Sequence, residues 1–133
     1  MDQPGLVTIG SRYTVKETLD RLEAALTAKA ITVFARIDHA AGAAQVGLSL
    51  RPTTVIIFGN PAAGTPLMQA DQRVGLDLPL KVLVWEDQQR STWLTYSDPR
   101  LLTERYGLAS SIEPAVKGLA GALAALSRAA TGS

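Results

Sequence analysis

The feature that most constrains the fold is an apolar run that ends in a turn, "TTVIIFGNPAAGTP", residues 53–66. Its first six residues show no polar–apolar alternation, which favours a central β-strand covered on both faces. Asn60 directly before Pro61 is a strong helix start, because asparagine caps a helix and proline is tolerated at its first position. Thr65 before Pro66 is the alternative start. The run therefore predicts a central strand that leads through a turn into a helix.

Two amphipathic helices are predicted near the ends of the chain. Thr14 and Glu17 form a capping box for the first, which we expect to run to about residue 30. Ser110 and Glu113 form a second capping box for the last helix. Apolar residues recur at helical spacing in both: Val15, Leu19, Leu22 and Leu26 in the first, and Ile112, Val116, Leu119, Leu123 and Leu126 in the last.

Shorter segments complete the set of predicted elements. Strands are expected at 6–9 and at 31–37, where apolar and polar residues alternate, and a hairpin is expected from "PLKVLVWED" and "STWLTYS". Trp85 and Trp93 should pack together across that hairpin, with ligand stacking as the alternative for whichever is exposed. Asp38 is expected to cap a short helical turn, and Asp98-Pro99 to start a short helix that ends at Gly107.

This order predicts an α+β fold, a two-layer sandwich with helices packed on one mixed β-sheet. The elements follow as strand, helix, strand, short helix, strand, helix, hairpin, helix, helix. At 133 residues the chain has the size of one domain, which we expect to comprise residues 1–130, with 131–133 as a disordered tail.

Composition excludes several classes of function. Hydrophobic residues make up 47% and charged residues 19%, which is typical of a globular protein. The net charge of +1 and the absence of a basic stripe argue against nucleic acid as a partner. The absence of cysteine excludes disulfides and cysteine-ligated metal sites, and a single histidine, His39, excludes a multi-histidine metal site within one chain. No apolar segment reaches membrane-spanning length and no signal peptide is evident, so we expect no membrane partner and a cytoplasmic location.

The turn at Gly59 is the first candidate site. A helix beginning after Asn60 or Thr65 would present backbone amides and the positive end of its dipole, which suit a phosphate or carboxylate. Gly59 and Gly64 would let a ligand approach the backbone closely. The alternative is that these residues only make the turn and cap the helix. Neither a P-loop nor a dinucleotide fingerprint is present.

Asp38 and His39 are the second candidate site. Histidine is the side chain whose ordinary pKa of ~6.5 suits proton transfer near neutral pH. Adjacent residues of a strand point to opposite faces, so the spacing does not imply a direct pair. The alternative is that Asp38 caps the following turn and His39 bonds locally.

The two candidates would meet only if the strands at 31–37 and 53–58 were parallel. The link 38–52 is long enough for a crossover, which would place His39 and Asn60 at one sheet edge, where ligands of open α/β sheets bind. Tyr96 and Asp98 end another strand, and their inclusion in the ligand site depends on the strand order. Asp77 is expected to pair with a nearby arginine or cap a turn.

The last helix carries Gly118, Gly121 and many alanines on its less apolar sides. Such a surface allows close approach of another backbone. Tight packing on the protein's own sheet and a homodimer interface are equally consistent with it.

Several segments resemble a known family: "TVKETLDRLEAAL", "ARIDHAAGA", "IIFGNPAAGTPLMQAD", "GLDLPLKVLVWED" and "WLTYSDP". In this order they are similar to the family of domain of unknown function 302, over residues 6–108. The matching positions are Asp38, His39, Gly59, Asn60, Pro61, Thr65, Asp71, Asp77, Leu78, Pro79, Tyr96, Asp98 and Pro99. The resemblance implies a small two-layer α/β or α+β domain, commonly dimeric, without implying an activity. Ala63 stands where relatives often carry lysine, so a phosphate site that depends on that lysine is not expected.

Three functions follow as hypotheses. The leading one is a dimeric domain that binds a small, polar or anionic molecule near Gly59, Asn60 and His39. The second is an enzyme that uses His39 as general acid or base with Asp38 or Asp98 as its charge partner. The third is a structural module that binds copies of itself or a partner through the last helix and the sheet edge. The sequence identifies no cofactor; a haem or metal held by His39 of two subunits is a further alternative.

Overall fold

The computed structural model describes residues 3–133, which form a five-stranded sheet and five α-helices. The strands are β1 (Leu6–Ser11), β2 (Thr32–Asp38), β3 (Thr53–Gly59), β4 (Leu80–Glu86) and β5 (Thr92–Ser97). The helices are α1 (Val15–Ala28), α2 (His39–Gln45), α3 (Pro61–Ala70), α4 (Leu101–Tyr106) and α5 (Glu113–Thr131). Short 3₁₀ turns at Gln72–Leu76 and Ser110–Ile112 precede β4 and α5. The predicted α+β class and element order are confirmed.

The sheet has the order β1-β5-β4-β3-β2 and is antiparallel throughout, so the prediction of a mixed sheet is wrong in that detail. Thr32 of β2 pairs with Gly59 of β3, and Asp38 pairs with Thr54. A parallel return would need a connection that runs back along the strand. The seven residues of α2 extend only about 10 Å, so the chain turns back into β3 at the end where β2 finishes.

One face of the sheet carries the main core. Alternate residues of the three central strands point toward α1 and α5, which form the second layer. The buried side chains of this cluster include Leu19, Leu22 and Leu26 of α1, Ile56 and Phe58 of β3, Val82 and Val84 of β4, Leu94 of β5, and Leu123 and Leu126 of α5. The predicted apolar stripes of the first and last helices therefore both face the sheet.

A second, smaller cluster lies beside the first and joins α3, the turn before β4, α4 and the first half of α5. Its buried members are Leu67, Val74, Leu102, Val116 and Leu119. Since α3 follows β3 and α4 follows β5, this cluster fixes both helices near the same end of the sheet. Of the two cavities described below, the first borders α3, the turn before β4 and α5, and the second borders α5.

Local capping agrees with the sequence at most positions. The Thr14–Glu17 capping box is present, and Asp38 caps α2 by accepting from the Ala41 amide. The second predicted capping box is wrong, because residues 110–112 form a 3₁₀ turn and no side chain caps α5. Its start relies instead on proline in the first turn.

The hairpin between β4 and β5 forms as predicted. The rings of Trp85 and Trp93 stack with their centroids 6.3 Å apart. Asp87 fixes the turn by accepting from the amides of Gln89 and Ser91 and from Trp93 Nε1. These hydrogen bonds hold the pKa of Asp87 below its ordinary value, with the Trp93 bond the largest cause.

Thr131, the first residue of the expected tail, is the final residue of α5 and is buried. Its carbonyl accepts from the Arg12 amide at 3.0 Å, and its hydroxyl donates to the Ser127 carbonyl at 2.8 Å. These contacts tie the end of α5 to the residue after β1.

Candidate functional site

The turn after β3 is a fully bonded helix start. Asn60 Oδ1 accepts from the Ala62 amide at 3.0 Å, and the Asn60 carbonyl accepts from Ala63 and Gly64 at 2.9 and 3.2 Å. Pro61 has no amide hydrogen to offer. The prediction that Asn60 caps this helix is confirmed, whereas Thr65 and Pro66 lie inside it. The amides that a phosphate would need are thus already paired within the chain.

Beside this turn lies a cavity of about 250 Å³, which we name the turn cavity. Gly59, Asn60, Gly64 and Thr65 form one wall. The rest of its lining is predominantly apolar: Phe34, Met68, Leu78, Pro79, Leu80 and Leu119 are its largest side chains. Within the described part of the chain, no charged side chain lines it.

Two of its glycines allow the close approach that shapes the turn cavity. A Cβ on Gly59 would lie 3.2 Å from Phe34 Cε2 and 3.3 Å from Pro79 Cβ. A Cβ on Gly64 would lie 3.2 Å from Leu78 Cδ1. These glycines therefore let apolar side chains of the chain itself approach the backbone closely, and close approach by a ligand stays a prediction.

Phe34 is the most exposed of the large apolar lining residues that the sequence analysis did not place in the site. The alternation of residues 31–37 grouped it with Thr32 and Arg36 on the polar side. The β2–β3 register shifts between Val33 and Ala35, which leaves Phe34 unpaired and places it against Gly59. A β-bulge redirects a side chain in this way, and strict alternation cannot reveal it.

His39 does not join this site. It begins α2 at the end of β2 that pairs with Thr54, whereas Gly59 pairs with the opposite end of the strand. Six residues of extended chain separate these ends by about 20 Å. His39 is exposed, and the Asp38 carboxylate accepts from the Ala41 amide at 2.9 Å. The expectation that His39 and Asn60 share one edge is therefore wrong, because β2 and β3 are antiparallel.

Tyr96 and Asp98 line a different cavity of about 370 Å³, which we name the tyrosine cavity. It lies between Val7 of β1, the end of β5 and the side of α5 that carries Lys117, Ala120, Gly121 and Ala124, and Arg100 completes it. The predicted ligand set is thus divided, with Gly59, Asn60 and Thr65 at one cavity and Tyr96 and Asp98 at another.

The charges of the tyrosine cavity are partly paired. Asp98 accepts from Arg100 Nε and, at 2.7 Å, from its Nη2. This hydrogen bonding lowers the pKa of Asp98, so the carboxylate is ionised at neutral pH. Burial is the main cause that raises the pKa of Tyr96 above its ordinary value of 10.0, with the Asp98 charge second. The phenol therefore keeps its proton at neutral pH and can donate a hydrogen bond.

Asp77 has a structural environment. Its carboxylate accepts from the Tyr106 hydroxyl and lies 3.4 Å from Arg105 Nε. Both partners belong to the end of α4, so Asp77 joins the turn before β4 to that helix. The prediction that Asp77 pairs with an arginine is confirmed.

Comparison with known proteins identifies the family. The model for Domain of unknown function DUF302 matches residues 7–126, most of the chain. The chain belongs to the DUF302 family. A crystal structure of a DUF302 protein from Bacillus stearothermophilus has the same fold, with a TM-score of 0.86, 19% sequence identity and coverage of 96% of this chain and 99% of that one.

Curated relatives are longer proteins. The chain is 48% identical over 115 residues to "Fluoride-specific ion channel FluC 1" of Brucella suis, and equally to "Fluoride-specific ion channel FluC 2" of Brucella melitensis. The match covers 86% of this chain and 45% and 43% of those proteins, so the chain spans less than half their length. Among residues 3–133, no helix is long and apolar enough to cross a membrane.

Proposed function

We propose that this DUF302 domain binds a small, uncharged organic molecule with a mainly apolar body in the turn cavity. The observation that supports the proposal is the mainly apolar lining of the turn cavity. A half-open space of about 250 Å³ is bordered largely by apolar side chains, with Asn60 and Thr65 as the polar side chains at its edge. Ligand pockets commonly combine an apolar lining with a few polar groups that orient the ligand.

The lining favours a neutral ligand over the anion expected from the sequence. A charged group loses hydration on entering an apolar cavity, and this loss needs compensation by opposite charge or free donors. The helix-start amides are paired within the chain, and no cation lines the cavity in the described residues. Burial of a CH₂ group, in contrast, is favourable by about 0.8 kcal/mol.

The size of the cavity narrows the class of ligand. An apolar cavity of ~150 Å³ is large enough to hold benzene. The turn cavity therefore has room for a bicyclic aromatic such as indole or a short alkyl chain. One polar atom on such a ligand could bond the Thr65 hydroxyl or the free amide group of Asn60.

Thermal denaturation with indole, 1-hexanol and inorganic phosphate tests this function. A ligand that binds only the folded state stabilises it by about 2.7 kcal/mol at one hundred times its Kd. We expect indole or hexanol to raise Tm and to do so equally when phosphate is present. Failure of every neutral compound, or competition between phosphate and indole, would contradict the proposal.

The channel name of the longer relatives supplies no ligand for this cavity. Fluoride is a small anion that needs positive charge or free backbone amides, and the turn cavity offers neither among residues 3–133. These relatives support only the inference that a domain of this family occurs within longer proteins.

Self-association is a second candidate function, favoured by the exposed edge of the sheet. Strand β2 is the last in the sheet order, and its outer side pairs with no strand of residues 3–133. It and the segment after α2 carry six apolar side chains that are 37–72% exposed: Val33, Phe34, Ile37, Val46, Leu48 and Leu50. Unprotected edge strands readily pair with other chains.

We propose that two copies pair their β2 strands about a two-fold axis. At about 120 Å² for a fully exposed side chain, the six residues offer on the order of 400 Å². Stable dimers bury about 800 Å² on each partner, so the strand backbone and polar rim would supply the remainder. Phe34 lies on this edge and in the turn cavity, so the partner would also border the bound ligand.

Light scattering on the purified chain tests this arrangement. We expect a dimer that Ile37→Lys converts to a monomer, because the lysine charge would be buried among the apolar side chains of this edge. Leu76→Lys is the matched control, since Leu76 is exposed but lies in the 3₁₀ turn. A monomeric wild type at high concentration, or a dimer unaffected by Ile37→Lys, would contradict it.

A further inference from the structure

The side chain of Tyr96 is buried without a hydrogen-bond partner. It is 7% exposed, and no residue in 3–133 pairs with its hydroxyl. Ser127 Oγ is the one fully buried side-chain oxygen or nitrogen left unpaired in that range, so Tyr96 Oη retains accessible surface. Because Tyr96 lines the tyrosine cavity, this hydroxyl is available to an occupant.

Two cations border the same space. Arg100 uses its Nε and Nη2 atoms on Asp98, which leaves its Nη1 donors available. The Lys117 ammonium lies 3.4 Å from Glu113, with its side chain 67% exposed. Arg100 and Lys117 against Asp98 give the lining a net charge of +1, from two cations and one carboxylate.

The helix wall leaves room for an occupant. Ala120, Gly121 and Ala124 present little or no side chain toward the cavity. A Cβ on Gly121 would meet nothing within 4 Å, so the space in front of this glycine is open. Lys117, Gly121 and Ala124 follow at spacings of four and three and therefore share one side of α5.

We propose that the tyrosine cavity is a second binding site, which takes a small molecule through an oxyanion, either a carboxylate or a phosphate. The Tyr96 hydroxyl donates to the oxyanion, while Arg100 and Lys117 supply positive charge. Asp98 is a positioning residue, because it holds the Arg100 guanidinium beside the cavity by two hydrogen bonds from Nε and one from Nη2. Anion binding at the tyrosine cavity is independent of the function proposed for the turn cavity.

Isothermal titration calorimetry with acetate and with inorganic phosphate tests the site. We expect at least one of the two to bind, and the tighter one identifies the oxyanion. A hydrogen bond to a charged group is commonly worth a factor of about 10 to 100 in affinity, so Tyr96→Phe should weaken binding by that factor. Absence of binding by both anions would overturn the proposal.

Two further measurements separate this role from a structural one. A hydroxyl without a protein partner contributes no hydrogen bond to the fold, so Tyr96→Phe should unfold at no lower urea concentration than the wild type. Gly121→Leu should abolish anion binding by filling the cavity. Gly118→Leu is the matched control, because it lies on the same helix, also faces open space and lines neither cavity. Loss of stability in Tyr96→Phe, or anion binding that survives Gly121→Leu, would overturn the proposal.

Discussion

The turn cavity and the tyrosine cavity border the same helix but differ in chemistry. Leu119 of α5 forms part of the apolar wall of the first, whereas Lys117, Ala120 and Gly121 border the second. Successive helical residues are rotated by about 100°, so Lys117 and Gly121, two positions on either side of Leu119, face nearly the opposite side of α5. Helix α5 thus contributes the large, buried side chain of Leu119 to the uncharged turn cavity. It contributes Lys117 and the small residues Ala120 and Gly121 to the charged tyrosine cavity.

This difference shows why nearby residues need not share a ligand. Asn60 and Asp98 follow β3 and β5, which run in the same direction and finish at the same end of the sheet. The side-chain oxygen and the carbonyl of Asn60 both accept from amides of its own helix, while Asp98 holds the Arg100 guanidinium beside the open tyrosine cavity. The turn cavity is therefore lined mainly by apolar groups, whereas the lining of the tyrosine cavity includes charged ones.

The largest expected effect is a difference in the free energy of unfolding between substitutions at the two cavities. Leu119→Ala should lower the free energy of unfolding by about 2–5 kcal/mol, because Leu119 is 5% exposed and belongs to the second core cluster. Lys117→Ala, on the opposite side of α5, should change it by less than about 0.5 kcal/mol. Urea denaturation measures both, and equal losses would show that the two sides of α5 do not differ as described.

The next effect concerns ligand selectivity. Gly64→Leu places a side chain in the turn cavity against Leu78, so it should weaken indole binding by at least about tenfold, or 1.4 kcal/mol. The helix propensity gained on replacing glycine, roughly 0.8–1 kcal/mol, should offset the crowding and preserve the fold. Calorimetry should find the affinity for the tighter-binding anion, acetate or phosphate, unchanged in this variant and both affinities unchanged in Gly118→Leu. A loss of anion binding in Gly64→Leu would mean that the cavities are coupled.

A smaller difference is expected in how salt changes the ligand affinity of each cavity. Ion pairs near the surface are worth about 0.2–1 kcal/mol and are screened by salt, so anion affinity should fall about two- to fivefold between 50 and 500 mM NaCl. No ionised side chain of the described residues lines the turn cavity, so indole affinity should not fall. A parallel decline of both affinities would contradict the contrast.

The smallest effect is expected at His39. His39→Ala should leave both affinities and the free energy of unfolding unchanged, because His39 is exposed and lies at the opposite end of β2 from the turn cavity. Calorimetry and urea denaturation test this. An altered affinity, or an activity that this variant loses, would support the catalytic hypothesis instead.

Much of the fold was predictable because its determinants are local in sequence. The apolar stripe from Val15 to Leu26, the Thr14 capping box and the Asn60-Pro61 helix start each depend on residues a few positions apart. The direction of β2 was not predictable in this way. The link 38–52 is long enough for a crossover, and only the shortness of α2 in the folded chain decides the antiparallel return.

The candidate site was predictable only in part, for a related reason. Gly59, Asn60, Thr65, Tyr96 and Asp98 all line cavities, as their turn and strand-end positions suggested. Their partners come from distant segments, and neither the bulge that places Phe34 nor the meeting of Tyr96 with α5 leaves a local pattern. Sequence therefore indicated individual residues, while their division into two cavities required the fold.

The most direct test of two chemically distinct cavities is a ¹H–¹⁵N NMR titration of one sample with indole and then with the tighter-binding anion, acetate or phosphate. We expect indole to shift the amides of Gly59, Gly64 and Thr65, the anion to shift those of Lys117 and Gly121, and neither to move that of His39. Shifts by both compounds at one set of amides, or at residues 39–45, would contradict it.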